Sequence, residues 1–306
     1  MTKNSDSGLR RPRRRHGRPS GPCRGVLGYL AVALVILIGA SPSTGSVIGA
    51  AATAGPRLLD RLSFELYSSR NFPPLHDQLK TLSALGFQAV EFQADAVTDI
   101  PAMKAMLAEF GLASPIGHFD LGRMRNDLGG SETIARGFGM TAMVLAWLPV
   151  DERPRTRDGW TSFGQELERM ALSSKQAGLE LVWHNHDYEF SPLPDGSRPL
   201  ELIFAAAPDL QWEPDIGWIT RAGEDPLPWL RRYRERVRAV HVKDVALPGM
   251  ADDEDGWADV GYGIVDWQRL LPFFASTDKA PLIIEHDQPR DYARFARRSR
   301  DTIANW

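Results

Sequence analysis

The chain has 306 residues, with 36 Lys and Arg against 39 Asp and Glu, and a single cysteine. One cysteine excludes a disulfide framework, and a formal charge of −3 gives no general attraction for nucleic acid. The length suits one α/β barrel behind a leader and exceeds what a small sandwich needs.

Residues 1–54 differ in composition from the rest of the chain. They hold eight Lys/Arg and one acidic residue, Asp6. A basic cluster, LRRPRRRHGR, precedes the apolar run VLGYLAVALVILIGA (26–40) and a small-residue stretch ending ATAG. That order describes a secretory signal, with Ala52-Thr53-Ala54 as the expected cleavage site. The apolar core, about 15 residues, falls short of the roughly 20 that span a bilayer. Export to the periplasm or cell exterior is therefore expected over the alternative, a retained membrane anchor. The paired arginines permit twin-arginine export. N-terminal sequencing of the protein from its host should begin near Gly55; an intact Met1 on a cytoplasmic protein would refute export. Past the leader, 28 basic residues face 38 acidic ones, a net of −10. Cys23 lies ahead of the apolar run, so it is no lipobox cysteine, and the mature chain has no thiol.

Residues 55–306 alternate strand and helix patterns. RLSFELYSS (61–69) reads as a strand, 75–86 as an amphipathic helix stopped by Gly86, and AVEFQ (89–93) as a second strand. Helix 99–111, strand SPIGHFDL (114–121) and a helix over 124–138 come next. TAMVLAWL (141–148) is apolar throughout, as a strand buried on both faces should be. Helix 159–177 leads into LELVWHNH (179–186). After it stand helix 199–207, strand LQWEPDIGW (210–218), helix 225–237 and strand RAVHVKDV (238–245). The acidic loop 246–262, helix 266–277, strand APLIIEHD (280–287) and helix 290–304 end the chain. Eight strands alternating with helices point to a (β/α)8 TIM barrel. An open doubly wound sheet would carry a glycine-rich turn after its first strand, where this chain has Leu66-Tyr67-Ser68-Ser69. The loop 246–262 reads equally as a lid over the C-terminal face or as a solvated acidic excursion.

Four residues stand at the C-terminal ends of four of these strands: His184, Asp215, His241 and Glu285. Their spacings of 31, 26 and 44 residues each accommodate one α/β unit, so all four can converge at one end of a barrel. Two imidazoles and two carboxylates form a ligand set for one divalent ion, Mn, Zn, Co, Fe or Mg. His186 shares a strand face with His184, and Lys243 shares one with His241. Lys243 is placed to neutralise a substrate oxyanion. An acidic pair, Glu213 and Asp215, interrupts an apolar run, and Asp215 alternatively reads as a helix N-cap. His118, Glu91 and Glu65 end or lie in the early strands and read as substrate contacts or as structural hydrogen-bonding groups. His286 has the opposite parity to Glu285 and is expected to point away. Trp183, Trp212, Trp218 and Trp267 offer sugar-stacking faces but read mostly as core.

At these residues the chain resembles the xylose isomerase-like barrels, the sugar phosphate isomerase/epimerase group. The similar stretches run from Glu65-Leu66-Tyr67-Ser68 to Glu285-His286-Asp287. The most specific are Trp183 through Phe190, Glu213 through Trp218, Gly223-Glu224-Asp225-Pro226, His241-Val242-Lys243-Asp244 and Gly261 through Trp267. The resemblance implies metal ligation by the fifth-strand residue, Asp215, His241 and Glu285. Well-studied epimerases of the group carry glutamate at the fifth-strand position, and pair two metal-bound glutamates as bases on opposite substrate faces. His184 stands there in this chain, leaving Glu285 as the evident carboxylate base. Pro214 is a second departure, where an apolar non-proline residue is more usual, and is expected to bend the sixth strand.

The reading is a metal-dependent enzyme that moves a proton next to the carbonyl of a small hydroxy-carbonyl sugar or polyol, as an isomerase or epimerase. Glu285, Lys243 and His184 are the expected catalytic groups. The alternative is a lyase eliminating water from a keto-sugar, keto-glycoside or inosose, which one base can serve. A further alternative is a secreted sugar-binding barrel without catalysis. Endonuclease chemistry, which occurs on this barrel, is opposed by the net −10.

Overall fold

The computed structural model describes residues 58–277 and 279–306. The expected export segment, 1–54, lies outside the described residues. Among the described residues no helix is long and apolar enough to cross a membrane.

Eight short strands form the barrel: β1 Leu62–Glu65, β2 Ala89–Glu91, β3 Ile116–Phe119, β4 Ala142–Leu145, β5 Glu180–His184, β6 Gln211–Glu213, β7 Val240–Val242 and β8 Leu282–Ile284. All their pairings are parallel, in two ladders of order β2-β1-β8-β7 and β3-β4-β5-β6. Isolated parallel bridges join the ladders, Ala89 to Ala113 and Gln93 to His118 on one side, Trp212 to Val237 and Asp215 to His241 on the other. The ring is therefore closed, with two weak seams. Parallel strands need crossovers, and the intervening helices supply them.

Strand parity explains what fills the ring. Ile116, Ala142, Val144, Val182, Ala239 and Ile283 form a small apolar cluster of their own, separate from the large core shared with the helices. Two residues further along their strands stand His118, His184, His241 and Glu285. Successive inward positions are thus apolar low in the barrel and ionisable near its C-terminal end.

The expected elements are present, with local differences. The first strand stops at Glu65, whose carboxylate accepts from Tyr67 N (3.0 Å) and caps a 3-10 turn, Leu66–Ser69. The helix expected over 124–138 is two, Leu121–Asn126 and Leu128–Phe138. Asp127 breaks it by accepting from Gly130 N (2.8 Å) as the N-cap of the second. The sixth strand ends at Glu213 rather than 218, because a helix, Ile216–Arg221, begins where Asp215 caps it. Past Pro214 the chain still pairs with β7, His241 N donating to Pro214 O (2.9 Å).

The acidic loop 246–262 is tied down at its stem and through Glu254 and Asp259, while its tip, with Asp252 and Asp253, is exposed to solvent. Asp244–Val245 pairs antiparallel with Trp257–Ala258, which gives the loop a stem. The Asp244 carboxylate is fully buried and accepts from the backbone N–H of Val245, Gly261, Gly263 and Val265 and from Trp267 Nε1. A Cβ on Gly263 would stand 2.2 Å from Asp244 Oδ1, so only glycine fits there. Glu254 and Asp259 pair with Arg294 (2.6 and 3.1 Å), and Asp259 also with Arg298 (3.2 Å), on the terminal helix Tyr292–Ala304.

Candidate metal centre

His184, Asp215, His241 and Glu285 converge. One donor atom of each lies within 4.8 Å of every other, and all four residues are buried. His184 Nε2 stands 3.8 Å from Asp215 Oδ2; His241 Nδ1 stands 4.0 Å from the same oxygen and 3.0 Å from Glu285 Oε2.

Both readings of Asp215 hold at once. Its Oδ1 accepts from Trp218 N (2.8 Å) as the helix cap, while its Oδ2 is buried and has no hydrogen-bond partner. A bare carboxylate oxygen in a dry interior is costly, and a divalent ion would remove that cost. The donor set fits such an ion. Asn185 fixes the residue from behind, its Oδ1 accepting from Asp215 N (3.2 Å) and Trp212 Nε1 (3.0 Å).

Glu213 has no role assigned by sequence pattern alone, and the structure supplies one. Its Oε2 lies 3.1 Å from His184 Nδ1 and 3.2 Å from His241 Nε2, the ring nitrogens turned away from the quartet. One carboxylate thus orients both imidazoles, an arrangement that raises ligand basicity and fixes the tautomer. Glu91 Oε2 adds a 2.8 Å contact to His241 Nε2. A signal exists in the sequence: Glu213 precedes Asp215 by two and shares its parity. Asp287, two beyond Glu285, carries the same signal and is likewise absent from the expected site.

Lys243 is wholly buried, its Nζ 2.6 Å from Asp287 Oδ1, 3.1 Å from Glu285 Oε2 and 3.8 Å from Asp215 Oδ2. The indoles of Trp257 (4.3 Å) and Trp218 (5.0 Å) flank it. A Cβ on Gly217 would come within 2.9 Å of the Lys243 stem, so glycine lets that side chain pass.

Glu65 and Glu91, read in the sequence as substrate contacts or as structural hydrogen-bonding groups, are fully buried, and Glu91 Oε2 meets His241 Nε2. His118 sits beside them, Nε2 3.5 Å from Glu91 Oε1 and 3.5 Å from Glu213 Oε2. His186 does reach the opening. Its ring, half-buried, packs against Trp218 (5.0 Å), Trp147 (5.1 Å) and Tyr188 (6.1 Å), and its Nδ1 is unpartnered. Trp147 is half-exposed, whereas Trp183, Trp212 and Trp267 are core. His286 turns away onto Phe295 (5.1 Å). Glu189 lies behind the fifth strand, accepting from Trp183 Nε1 (3.1 Å) and His186 N (3.0 Å), so His184 is the fifth-strand member of the quartet.

The electrostatics follow from burial. Burial pushes Asp215 up to about 7 and Glu65 up to about 8, and raises Glu91. Burial works against Glu285 as well, yet Lys243 and His241 hold it well below the usual carboxylate range. Burial lowers His118, but Glu91, Glu65 and Glu213 together raise it, to about 10. Burial and the neighbouring His241 bring His184 down to about 4, so its imidazole is neutral and able to ligate.

The chain belongs to the xylose isomerase-like TIM barrel family, whose profile matches residues 79–303. An inosose dehydratase of Lacticaseibacillus casei is 26% identical over 184 residues, 51% of this chain and 58% of that protein. The chain therefore spans little more than half the length of that relative. A sugar phosphate isomerase/epimerase structure from Parabacteroides distasonis superposes with a TM-score of 0.65 at 19% identity, covering 85% of this chain and 97% of the other. The zinc-containing structure of the IOLI protein superposes with a TM-score of 0.63 at 12% identity, over 80% and 95% of the two chains. The two structural likenesses establish the fold.

Proposed function

We propose that this barrel is a divalent-metal enzyme that removes a proton beside the carbonyl of a small cyclic keto-polyol or keto-sugar and eliminates water from it. The observation that carries the reading is the quartet of His184, Asp215, His241 and Glu285 at the barrel mouth, with Asp215 Oδ2 bare. A divalent ion held there would supply Lewis-acid polarisation of a carbonyl and its neighbouring hydroxyl. The inosose dehydratase and the zinc-containing IOLI structure among its relatives support the reading. The dehydratase favours elimination over the isomerase and epimerase alternatives, and the zinc of the IOLI structure supports a bound ion, without fixing the substrate or the ion.

The residues divide the work. Glu285 Oε2 is held by His241 and Lys243, while among the described residues Oε1 accepts no hydrogen bond and stays free to take a proton. Lys243 sets a positive charge beside the reacting carbon and offsets the enolate oxygen. In an elimination the C–H electrons form the new C=C bond as the C–O bond breaks. The proton taken by Glu285 then passes to the departing hydroxyl on the same face, and water leaves. One carboxyl suffices for that sequence, whereas epimerisation needs a second base opposite. The aromatic wall of His186, Trp147 and Trp218 suits the apolar face of a sugar-like ring. Export remains the proposed localisation, on residues 1–54 alone.

The test is proton exchange followed by NMR in D₂O, on zinc- or manganese-loaded protein with inososes, 3-keto-glycosides, ketoses and aldoses. Deuterium incorporation next to a carbonyl, with loss of water from one substrate, is expected. Absence of exchange on all four classes by fully metal-loaded protein would overturn the reading.

A further inference from the structure

Across the barrel mouth from the quartet lies a cleft of about 520 Å³ whose polar groups the proposed reaction does not use. Gln93, Asp95, Asp120, Arg123, Ala146 and Trp147 are among its lining residues. Gln93, Asp120 and Ala146 each stand two residues beyond Glu91, His118 and Val144, inward positions of β2, β3 and β4. Strand alternation therefore carries them to the C-terminal opening. The quartet stands on or just beyond β5 to β8.

Asp95 builds the cleft. It is only 8% exposed, and each of its oxygens is committed. Oδ1 accepts from Gln93 Nε2 (2.6 Å), Oδ2 from Asp120 N (2.9 Å) and the backbone carbonyl from Arg123 Nη1 (2.8 Å). One buried residue thus ties the ends of the second and third strands together and holds three exposed side chains around the opening. Among the described residues Gln93 Oε1, Asp120 Oδ2 and the remaining guanidinium nitrogens of Arg123 have no partner, so they are free for a ligand.

Trp147, half-exposed, packs on His186 (5.1 Å), which packs on His184 (5.2 Å). The cleft is thus continuous with the aromatic wall of the metal site. Two successive ring contacts separate its indole from the proposed ligand His184, so an occupant of the cleft is a second group joined to the reacting ring. The lining says what that group is. The indole offers a flat apolar face, and a carboxamide, a carboxylate and a guanidinium set acceptors and donors side by side, as the face and hydroxyl edge of a sugar ring require. Phosphate or carboxylate is opposed, because Arg123 is the one cation among the lining residues, against the carboxylates of Asp95 and Asp120.

We propose that this cleft is a subsite for a neutral, polyhydroxylated ring. The substrate is then a glycoside, whose keto ring meets the metal and whose second ring stacks on Trp147 and hydrogen-bonds to Gln93, Asp120 and Arg123. The inference rests on the proposed function for the reacting ring, and on the cleft alone for the second.

The experiment has two arms on the full chain. In the first, with zinc-loaded protein, kcat/KM for deuterium exchange is compared between a 3-keto-glucosyl-glucose disaccharide and methyl 3-keto-glucoside. The disaccharide is expected to lead by roughly 10- to 100-fold, the contribution of a hydrogen bond or two to charged groups. The lead should vanish in Asp120→Ser and in Arg123→Ala. Serine preserves the cap that Asp120 gives Arg123 N, so the helix stays. In the second arm, saturation-transfer NMR follows cellobiose, which has no keto group, on metal-free protein. Saturation of cellobiose ring protons is expected, and its loss in both variants. No lead for the disaccharide, or a lead that both variants keep, would overturn the subsite and leave the proposed reaction standing. Cellobiose binding that depends on Asp120 and Arg123, with no exchange on either substrate, would support the subsite and overturn the reaction. Preference for glucose 6-phosphate over cellobiose would overturn the neutral ring.

Discussion

Asp215→Asn is expected to abolish stoichiometric binding of the ion, with an affinity loss of at least roughly 100-fold, while the protein remains folded. Changing residues that merely support a ligand already costs about 10- to 100-fold in metal affinity, and Asp215 is itself a proposed ligand. The amide keeps an oxygen for the Trp218 N–H, so the helix cap survives. Asp215→Ala removes both functions and should in addition cost about 1 kcal/mol of stability for the lost cap. The two variants therefore separate metal loss from helix loss. Calorimetric zinc titration beside thermal unfolding makes the comparison. The affinity of the unmodified protein should also fall as pH drops below about 7. Burial raises Asp215 to about that value, and a proton on its carboxylate competes with the ion. Undiminished affinity in Asp215→Asn would remove this residue from the ligand set.

Glu285→Gln is expected to slow proton abstraction by roughly 10²- to 10⁴-fold, the usual contribution of a positioned general base. The amide can still accept from Lys243 and occupy the same volume, but it cannot take a proton. Because Glu285 is also a proposed ligand, ion content has to be measured on the same sample. A rate loss with the ion retained assigns the base. A variant that keeps its ion and exchanges deuterium at the original rate would show that another group, such as His186 with its unpartnered Nδ1, removes the proton.

The quartet is legible in the sequence because its members end four apolar runs whose separations each fit one α/β unit. Strand-end placement and parity bring such residues to one place whatever the loops do. The supporting carboxylates are harder to see. Glu213 sits in the same run as Asp215, and by hydrophobic pattern the run reads as one strand to residue 218, which gives no reason to separate the inner positions. In the structure the strand stops at Glu213, Pro214 intervenes, and Asp215 caps a helix. The break is a local event set by a capping hydrogen bond, and hydrophobic pattern alone does not register it. Asp127 splits a helix for the same reason.

Tertiary partners set the rest. Parity with His241 marks Lys243 as an oxyanion stabiliser. Its burial between Asp287 and two indoles depends on the stem of the neighbouring loop, which pairs Val245 with Trp257. The acidic loop itself looks free in sequence because its partners, Arg294 and Arg298, come more than thirty residues later. Long-range ion pairs of that kind leave no trace in local composition.

One divalent ion is expected between His184, Asp215, His241 and Glu285. Anomalous X-ray scattering at the zinc edge, from crystals of the zinc-loaded protein, tests it most directly. A peak at about 2.0–2.3 Å from His184 Nε2, Asp215 Oδ2, His241 Nδ1 and a Glu285 carboxylate oxygen is predicted. Anomalous density confined to other positions, with these four side chains unligated, would contradict it.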